Sequence, residues 1–170
     1  MKKLSIICIF LFLIACSSTQ TTSNEGNMVN QTLSKITLKE ALSFLDSDSL
    51  VTQNTKAAIP KSLISAIEQH TNEKFKLANP GERSNVGCVQ SRRNLPSRQL
   101  NFFAIGKNAS ILSYKKGTRG VYDVILLATY REGKVSGIWL GSSIKAPGTL
   151  TEIINCLKQQ CIHEMEEWQF

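Results

Sequence analysis

The chain has 170 residues and a formal charge of +7, with 42% hydrophobic and 19% charged residues. This length supports one domain with a hydrophobic core and excludes a pair of full-sized domains. The cations are unevenly placed, because residues 83–122 hold eight Lys and Arg residues and no Asp or Glu. A stretch of one sign can attract anions if its side chains share a surface, but not if folding scatters them over several faces.

The first sixteen residues, MKKLSIICIFLFLIAC, combine two lysines with a short apolar run. As a helix, residues 4–14 would be about 16 Å long, roughly half of a bilayer core, which is too short to span a membrane and typical of a signal peptide. The run closes with Leu13, Ile14, Ala15 and Cys16. This ending resembles the lipobox of bacterial lipoproteins, in which an aliphatic and a small residue precede the cysteine.

The resemblance implies that residues 1–15 are removed as a signal peptide and that Cys16 carries a diacylglyceryl group and an acylated amino terminus. Two or more acyl chains, at about 0.8 kcal/mol per buried CH₂, would make a stable anchor. The expected location is the bacterial cell envelope. Ser17 follows the cysteine where an Asp often retains such proteins in the inner membrane, so the outer membrane is favoured in a Gram-negative cell.

A polar segment without helical or strand periodicity follows over residues 17–31. We expect residues 16–34 to form the lipidated cysteine and a flexible tether, with an r.m.s. reach of about 20 Å. Residues 35–170 are then expected to form a single domain. The lipid anchor would hold that domain near the membrane surface.

The domain opens with helical signals and continues with strand signals. Thr37 and Glu40 have the spacing of a capping box before a helix over about residues 38–46, and Pro60 opens a second helix that ends near residues 70–72. Short strands could lie near residues 74–78 and 86–90. From Gln99 the pattern sharpens, and residues 100–105, 110–114, 121–130 and 135–140 read as four strands of an antiparallel meander.

A second capping-box pattern, Thr149 and Glu152, precedes an amphipathic helix. This helix either runs almost to the end of the chain or stops near Gln160. The expected fold class is therefore α+β, with two N-terminal helices, an antiparallel sheet of four to six strands and a C-terminal helix packed on one face.

Three cysteines, Cys88, Cys156 and Cys161, remain in the expected mature chain, and an exported protein can form disulfides. In an unbroken helix, Cys156 and Cys161 would lie about 7.5 Å apart along the axis and about 140° apart around it, so they could not bond. Cys88–Cys161 would then be the natural pair. If the helix breaks, a Cys156–Cys161 disulfide becomes possible.

The sequence offers few catalytic groups. Cys88 could be the nucleophile of a cell-wall hydrolase with His70 or His163 as base, but no helical run follows it to favour a thiolate. His163 and Glu167 are four residues apart, yet the second His of a zinc-hydrolase motif is missing, so no metal or cofactor is expected. There is no G-x-S-x-G motif.

We therefore expect a lipid-anchored, non-enzymatic binding module. Its partner would be the membrane through Cys16 and, at a basic surface, an acidic envelope protein or an anionic glycan or lipid; nucleic acid is not an expected partner for an exported chain. A Cys88-dependent hydrolase and a purely structural lipoprotein are the alternatives. The expected binding residues are Arg92, Arg93, Arg98, Lys107, Lys115, Lys116 and Arg119.

Overall fold

The computed structural model of the protein describes residues 33–87, 94–117 and 120–166. Within these ranges the fold is α+β, with three α-helices and a mixed sheet of eight strands. The elements in chain order are β1 (Ser34–Lys35), α1 (Leu38–Asp46), β2 (Val51–Thr52), α2 (Lys61–Thr71), β3 (Leu77–Ala78), β4 (Arg98–Ile105), β5 (Ala109–Gly117), β6 (Val121–Arg131), β7 (Lys134–Ser143), α3 (Leu150–Lys158) and β8 (His163–Glu164).

The centre of the sheet is the antiparallel meander β4–β5–β6–β7. Its last turn has only two residues, Glu132 and Gly133, and both have positive φ, 52° and 74°. This is the geometry of a type I′ turn, whose twist matches that of the strands it joins. Because each strand reverses direction, the turns after β4 and β6 lie at one end of the sheet, and the connection between β5 and β6 lies at the other.

Both edges of the meander are covered by short strands. β2 pairs antiparallel and β3 parallel with β4, while β1 pairs parallel and β8 antiparallel with β7. The sequence predicted an antiparallel sheet of four to six strands. That prediction was wrong, because the sheet has eight strands and two of them, β1 and β3, pair in parallel. Each added strand has two residues, too few to show the alternating pattern by which a strand is recognised in a sequence.

The sheet is the middle layer of the fold. On one face, Leu63 and Ile67 of α2 are fully buried in a cluster that includes Leu112 and Leu126 of the sheet. On the other face, the buried sides of α1 and α3 cover a second cluster that includes Trp139. β6 is buried on both faces, which explains its nearly continuous apolar run. No helix in the described part of the chain is long and apolar enough to cross a bilayer.

Helix α1 is fixed at both ends by side-chain contacts with the backbone. At its start, the Thr37 hydroxyl accepts from the Glu40 amide (3.2 Å) and the Glu40 carboxylate accepts from the Thr37 amide (2.7 Å), as a capping box requires. Just past its end, the Asp48 carboxylate accepts hydrogen bonds from the amides of residues 107, 108 and 109, at 3.1, 2.7 and 2.9 Å. α1 is thereby attached to the turn between β4 and β5.

That turn is built around the Asp48 carboxylate. A Cβ atom at Gly106 would collide with it, so the turn needs a glycine there. Burial acts to raise the pKa of Asp48, but the amides of Asn108, Lys107 and Ala109 outweigh it and hold the pKa below its usual range.

Helix α3 stops at Lys158, and the chain reverses through Gln160, whose φ is 57°. The Cys161 amide donates to the Cys156 carbonyl (3.0 Å) and the Gln160 amide to the Leu157 carbonyl (3.2 Å). These two bonds define a Schellman motif, which often carries a hydrophobic contact between its first and last residues. Here a disulfide joins those two residues, Cys156 and Cys161, with their Cα atoms 5.2 Å apart.

The disulfide in the structure is therefore Cys156–Cys161, the pairing expected if the helix breaks. The Cys88–Cys161 pairing is not formed, because the helix breaks and Cys161 is already bonded to Cys156. Cys88 itself lies outside the described residues. The break also lets the chain return as β8, where Glu164 accepts from the Trp139 indole (3.1 Å) and pairs with Lys35 (3.1 Å).

Candidate functional site

The structure divides the predicted basic residues between two ends of the sheet. Lys107 lies in the turn between β4 and β5, whereas Arg98, Lys115 and Lys116 lie where β4 begins and β5 ends. The two groups are separated by the length of the strands, so the described members of the set do not form one surface. The remaining predicted residues lie outside the described residues: Cys16, Arg92, Arg93 and Arg119.

Arg98 is placed inside the fold. Its side chain is 7% exposed, with its Nη2 3.8 Å from a Glu73 carboxylate oxygen and its guanidinium carbon 5.1 Å from the centre of the Phe75 ring. Burial raises the pKa of the neighbouring Tyr114, and the charge of Arg98 only partly offsets this. Arg98 thus ties β4 to the segment after α2, and much of its charge is engaged within the protein.

The pairing of the strands brings other cations to the same end as Lys115. Lys115 lies opposite Gln99 of β4 and Asp123 of β6, and Asp123 in turn lies opposite Ser143 of β7. Lys76 immediately precedes β3, and Lys145 follows the end of β7. From β3 to β7 there are four strand-to-strand steps, about 19 Å in all.

Arg83 belongs to the same group. The Gln99 side chain donates to the Glu82 carbonyl (2.9 Å), which holds the loop containing Arg83 beside β4. Lys116 is half-buried, and burial followed by the Arg98 charge lowers its pKa. We call the resulting set the basic end of the sheet: Lys76, Arg83, Lys115, Lys116 and Lys145.

The acids at this end pair with other cations or are buried. Glu73 pairs with Arg98, and Glu82 pairs with Lys56 at 2.8 Å. The Lys56 contact and then the Asn79 amide lower the pKa of Glu82 to about 2. Within the described ranges, no acid forms an ion pair with Lys76, Arg83, Lys115 or Lys145. These four cations are exposed, so their charge lies at the surface.

The third acid, Asp123, is buried and organises the adjoining loop. It accepts hydrogen bonds from the Asn101 side-chain amide and from the Ala146 backbone amide (2.6 Å). On the other side of the loop tip, the Ser143 hydroxyl donates to the Lys145 carbonyl (3.1 Å). Both ends of the tip formed by Ile144 and Lys145 are thus held against the sheet.

This tip contains the feature that the sequence analysis missed. Ile144 is 93% exposed, and Val121, which begins β6 at the same end of the sheet, is 48% exposed. The predicted strand stopped at Leu140, so residues 141–146 received no role. The available signal was a single isoleucine within the polar run SSIKAP.

The described residues contain no group of three or more His, Cys, Asp or Glu side chains that could hold a metal ion. His163 and Glu164 lie on the short strand β8, and Glu164 is engaged by Trp139 and Lys35. The arrangement at the basic end is suited instead to attracting an extended anionic surface.

No protein-family model matches the chain, and neither does any curated protein or solved structure.

Proposed function

We propose that the protein is a lipid-anchored binding module of the bacterial envelope, without enzymatic activity, that holds an acidic partner at the basic end of its sheet. The observation that carries this proposal is the set of four exposed cations, Lys76, Arg83, Lys115 and Lys145, whose neighbouring acids are paired or buried. The apolar leader and the lipobox ending at Cys16 support the anchor.

The geometry favours an extended partner over a small one. The cations lie in a row about 19 Å long across the ends of several strands rather than around an enclosed pocket. Lys115 and Lys145 are exposed, so their attraction for an acidic surface should weaken as salt screens it. Binding would depend on where the charges lie as well as on how many there are.

The test compares two double charge reversals with the same change in net charge. Lys115→Glu/Lys145→Glu alters the basic end, whereas Arg131→Glu/Lys134→Glu alters exposed residues that flank the type I′ turn at the opposite end. A chain that starts at Ser17 is suitable, since the compact unit spans Thr32–Phe170. Retention on immobilised heparin, a soluble polyanion, is measured as the salt concentration needed for elution.

We expect the first variant to elute at much lower salt than the parent chain and the second to elute near it. Equal shifts in both variants would mean that only net charge matters, and the proposed binding surface would be wrong. The anchor is tested in bacterial cells expressing the full chain: Cys16→Ser should abolish labelling with radioactive palmitate, and an unlabelled parent chain would refute lipidation.

A further inference from the structure

We propose that the partner held at the basic end is the surface of an anionic lipid bilayer, into which Ile144 inserts. This inference rests on the proposed function and names its ligand. It adds insertion of an apolar residue to electrostatic attraction: Ile144 leaves water, while the cations stay with the headgroups. The two elements can be tested separately.

The first support is the state of Ile144. A large aliphatic side chain that is 93% exposed gains nothing from the fold. The tip cannot withdraw it easily, because Ser143 binds the Lys145 carbonyl and Asp123 binds the Ala146 amide. Ile144 is therefore presented to the outside on a loop that is fixed on both sides. The half-exposed Val121 extends the apolar area at the end of the neighbouring strand.

The second support is the position of the cations around this tip. Lys145 is the next residue, and Lys115 lies two strand steps from β7, about 10 Å away. Lysine stems can lie along an apolar surface while their ammonium groups reach phosphate oxygens. A small apolar projection among cations is the combination by which peripheral proteins bind anionic bilayers.

A bilayer fits these features better than an acidic protein does. Carboxylates on a protein would satisfy the lysines but would offer no apolar medium to an isolated isoleucine. The expected tether also favours lipid: with a reach of about 20 Å it keeps the domain beside the leaflet that holds its anchor, so the local concentration of headgroups is high. Weak contacts are sufficient under those conditions.

The experiment measures partitioning of the chain that starts at Ser17, which lacks the lipid anchor, onto vesicles by sedimentation. Vesicles of phosphatidylcholine mixed with phosphatidylglycerol are compared with vesicles of phosphatidylcholine alone. Lys115→Gln/Lys145→Gln should weaken partitioning onto the anionic vesicles about 25-fold, since each cation near such a surface contributes about a fivefold factor. Ile144→Ser should weaken it about tenfold.

The matched apolar control is Val51→Ser. Val51 is 57% exposed but lies on β2 beside the other end of β4, far from the basic end. The Val51→Ser change should therefore leave partitioning onto anionic vesicles unchanged. A direct probe is Ile144→Trp, whose fluorescence should shift to shorter wavelength with anionic vesicles, while Val51→Trp should show no shift. The two native tryptophans, Trp139 and Trp168, are present in both variants, so the spectrum of the parent chain with the same vesicles is subtracted as background.

The outcomes separate this inference from the proposed function. Retention on heparin without partitioning onto anionic vesicles would overturn the lipid inference and leave the binding surface intact, with an acidic protein or glycan as its partner. Partitioning that depends on the lysines but not on Ile144 would overturn the insertion. If the parent chain neither binds heparin nor partitions onto anionic vesicles, the proposed function is overturned as well.

Discussion

The contact between Asp48 and the turn after β4 provides the sharpest test of the fold. Asp48 lies just beyond α1, and its carboxylate accepts from three amides that are 59, 60 and 61 residues further along the chain. A hydrogen bond to a charged group contributes about 1.5–3 kcal/mol, but this site is only partly buried, so water can replace part of the loss. We therefore expect Asp48→Ala to lower the free energy of unfolding by about 2–4 kcal/mol.

Asp48→Asn keeps the volume and one acceptor oxygen, so about 1–2 kcal/mol should be lost. The assay is urea unfolding followed by circular dichroism, where such a loss moves the midpoint by about 0.5–1 M. The control is Asp46→Asn. Asp46 pairs with Lys158 at 2.8 Å, but its side chain is 57% exposed, so its loss should cost under about 1 kcal/mol.

The pH dependence of stability provides a second test of the Asp48 contact. The pKa of Asp48 is lowered from 3.8 in the folded state, so its stabilisation is complete above the unfolded pKa and is lost as the pH falls through the folded pKa. The difference between the parent chain and Asp48→Asn should therefore narrow as the pH drops below about 4. The reasoning is refuted if Asp48→Asn costs no more than Asp46→Asn at neutral pH, or if the difference persists once Asp48 is protonated.

Three further predictions use urea unfolding or heparin retention as the measurement. Glu132→Asn should raise the free energy of unfolding by about 0.5–1 kcal/mol, because asparagine tolerates positive φ in a type I′ turn; an unchanged midpoint would contradict this. Replacing both Cys156 and Cys161 by Ser should cost about 2 kcal/mol for so short a loop, and reduction of the parent chain should match the double variant. Arg98→Met should change heparin retention much less than Lys115→Gln, because Arg98 is buried against Glu73; equal effects would show that its charge reaches the partner.

Local signals in the sequence predicted local structure well. The Thr37–Glu40 capping box is complete in the structure, because both of its hydrogen bonds involve residues within one turn. The capping box of Thr149 and Glu152 is only half formed. The Thr149 hydroxyl accepts from the Glu152 amide (3.3 Å), but the Glu152 carboxylate accepts from the Gly148 amide (3.3 Å) rather than from the Thr149 amide. The α+β class followed from such segments and from the long central strands.

The sequence could not predict features that depend on distant partners. The four edge strands have two residues each and exist because β4 and β7 offer unpaired edges; of the four, only β3 lies within a strand expected from the sequence, near residues 74–78. The end of α3 was ambiguous because Gln160, which is not the usual glycine, adopts the left-handed conformation there. That one residue decides which disulfide can form.

The same limit applies to the candidate site. The run of cations between residues 83 and 122 was visible, but strand pairing decides where each one lies. Arg98 enters the face covered by α2, Lys107 lies at the far end, and Lys145, outside the run, joins Lys115. Ile144 stood out only once its exposure was known, because a single isoleucine near a strand end normally reads as part of that strand.

The covered edges of the sheet affect how neighbouring chains would interact if they are anchored on one leaflet, as proposed. Confinement in two dimensions brings identical domains into frequent collision, and a bare strand edge would template ladder formation between neighbours. Here β2 and β3 shield one border of the meander, and β1 and β8 shield the other. With the chains anchored as proposed, these short strands would hinder strand pairing between neighbouring copies on the same membrane.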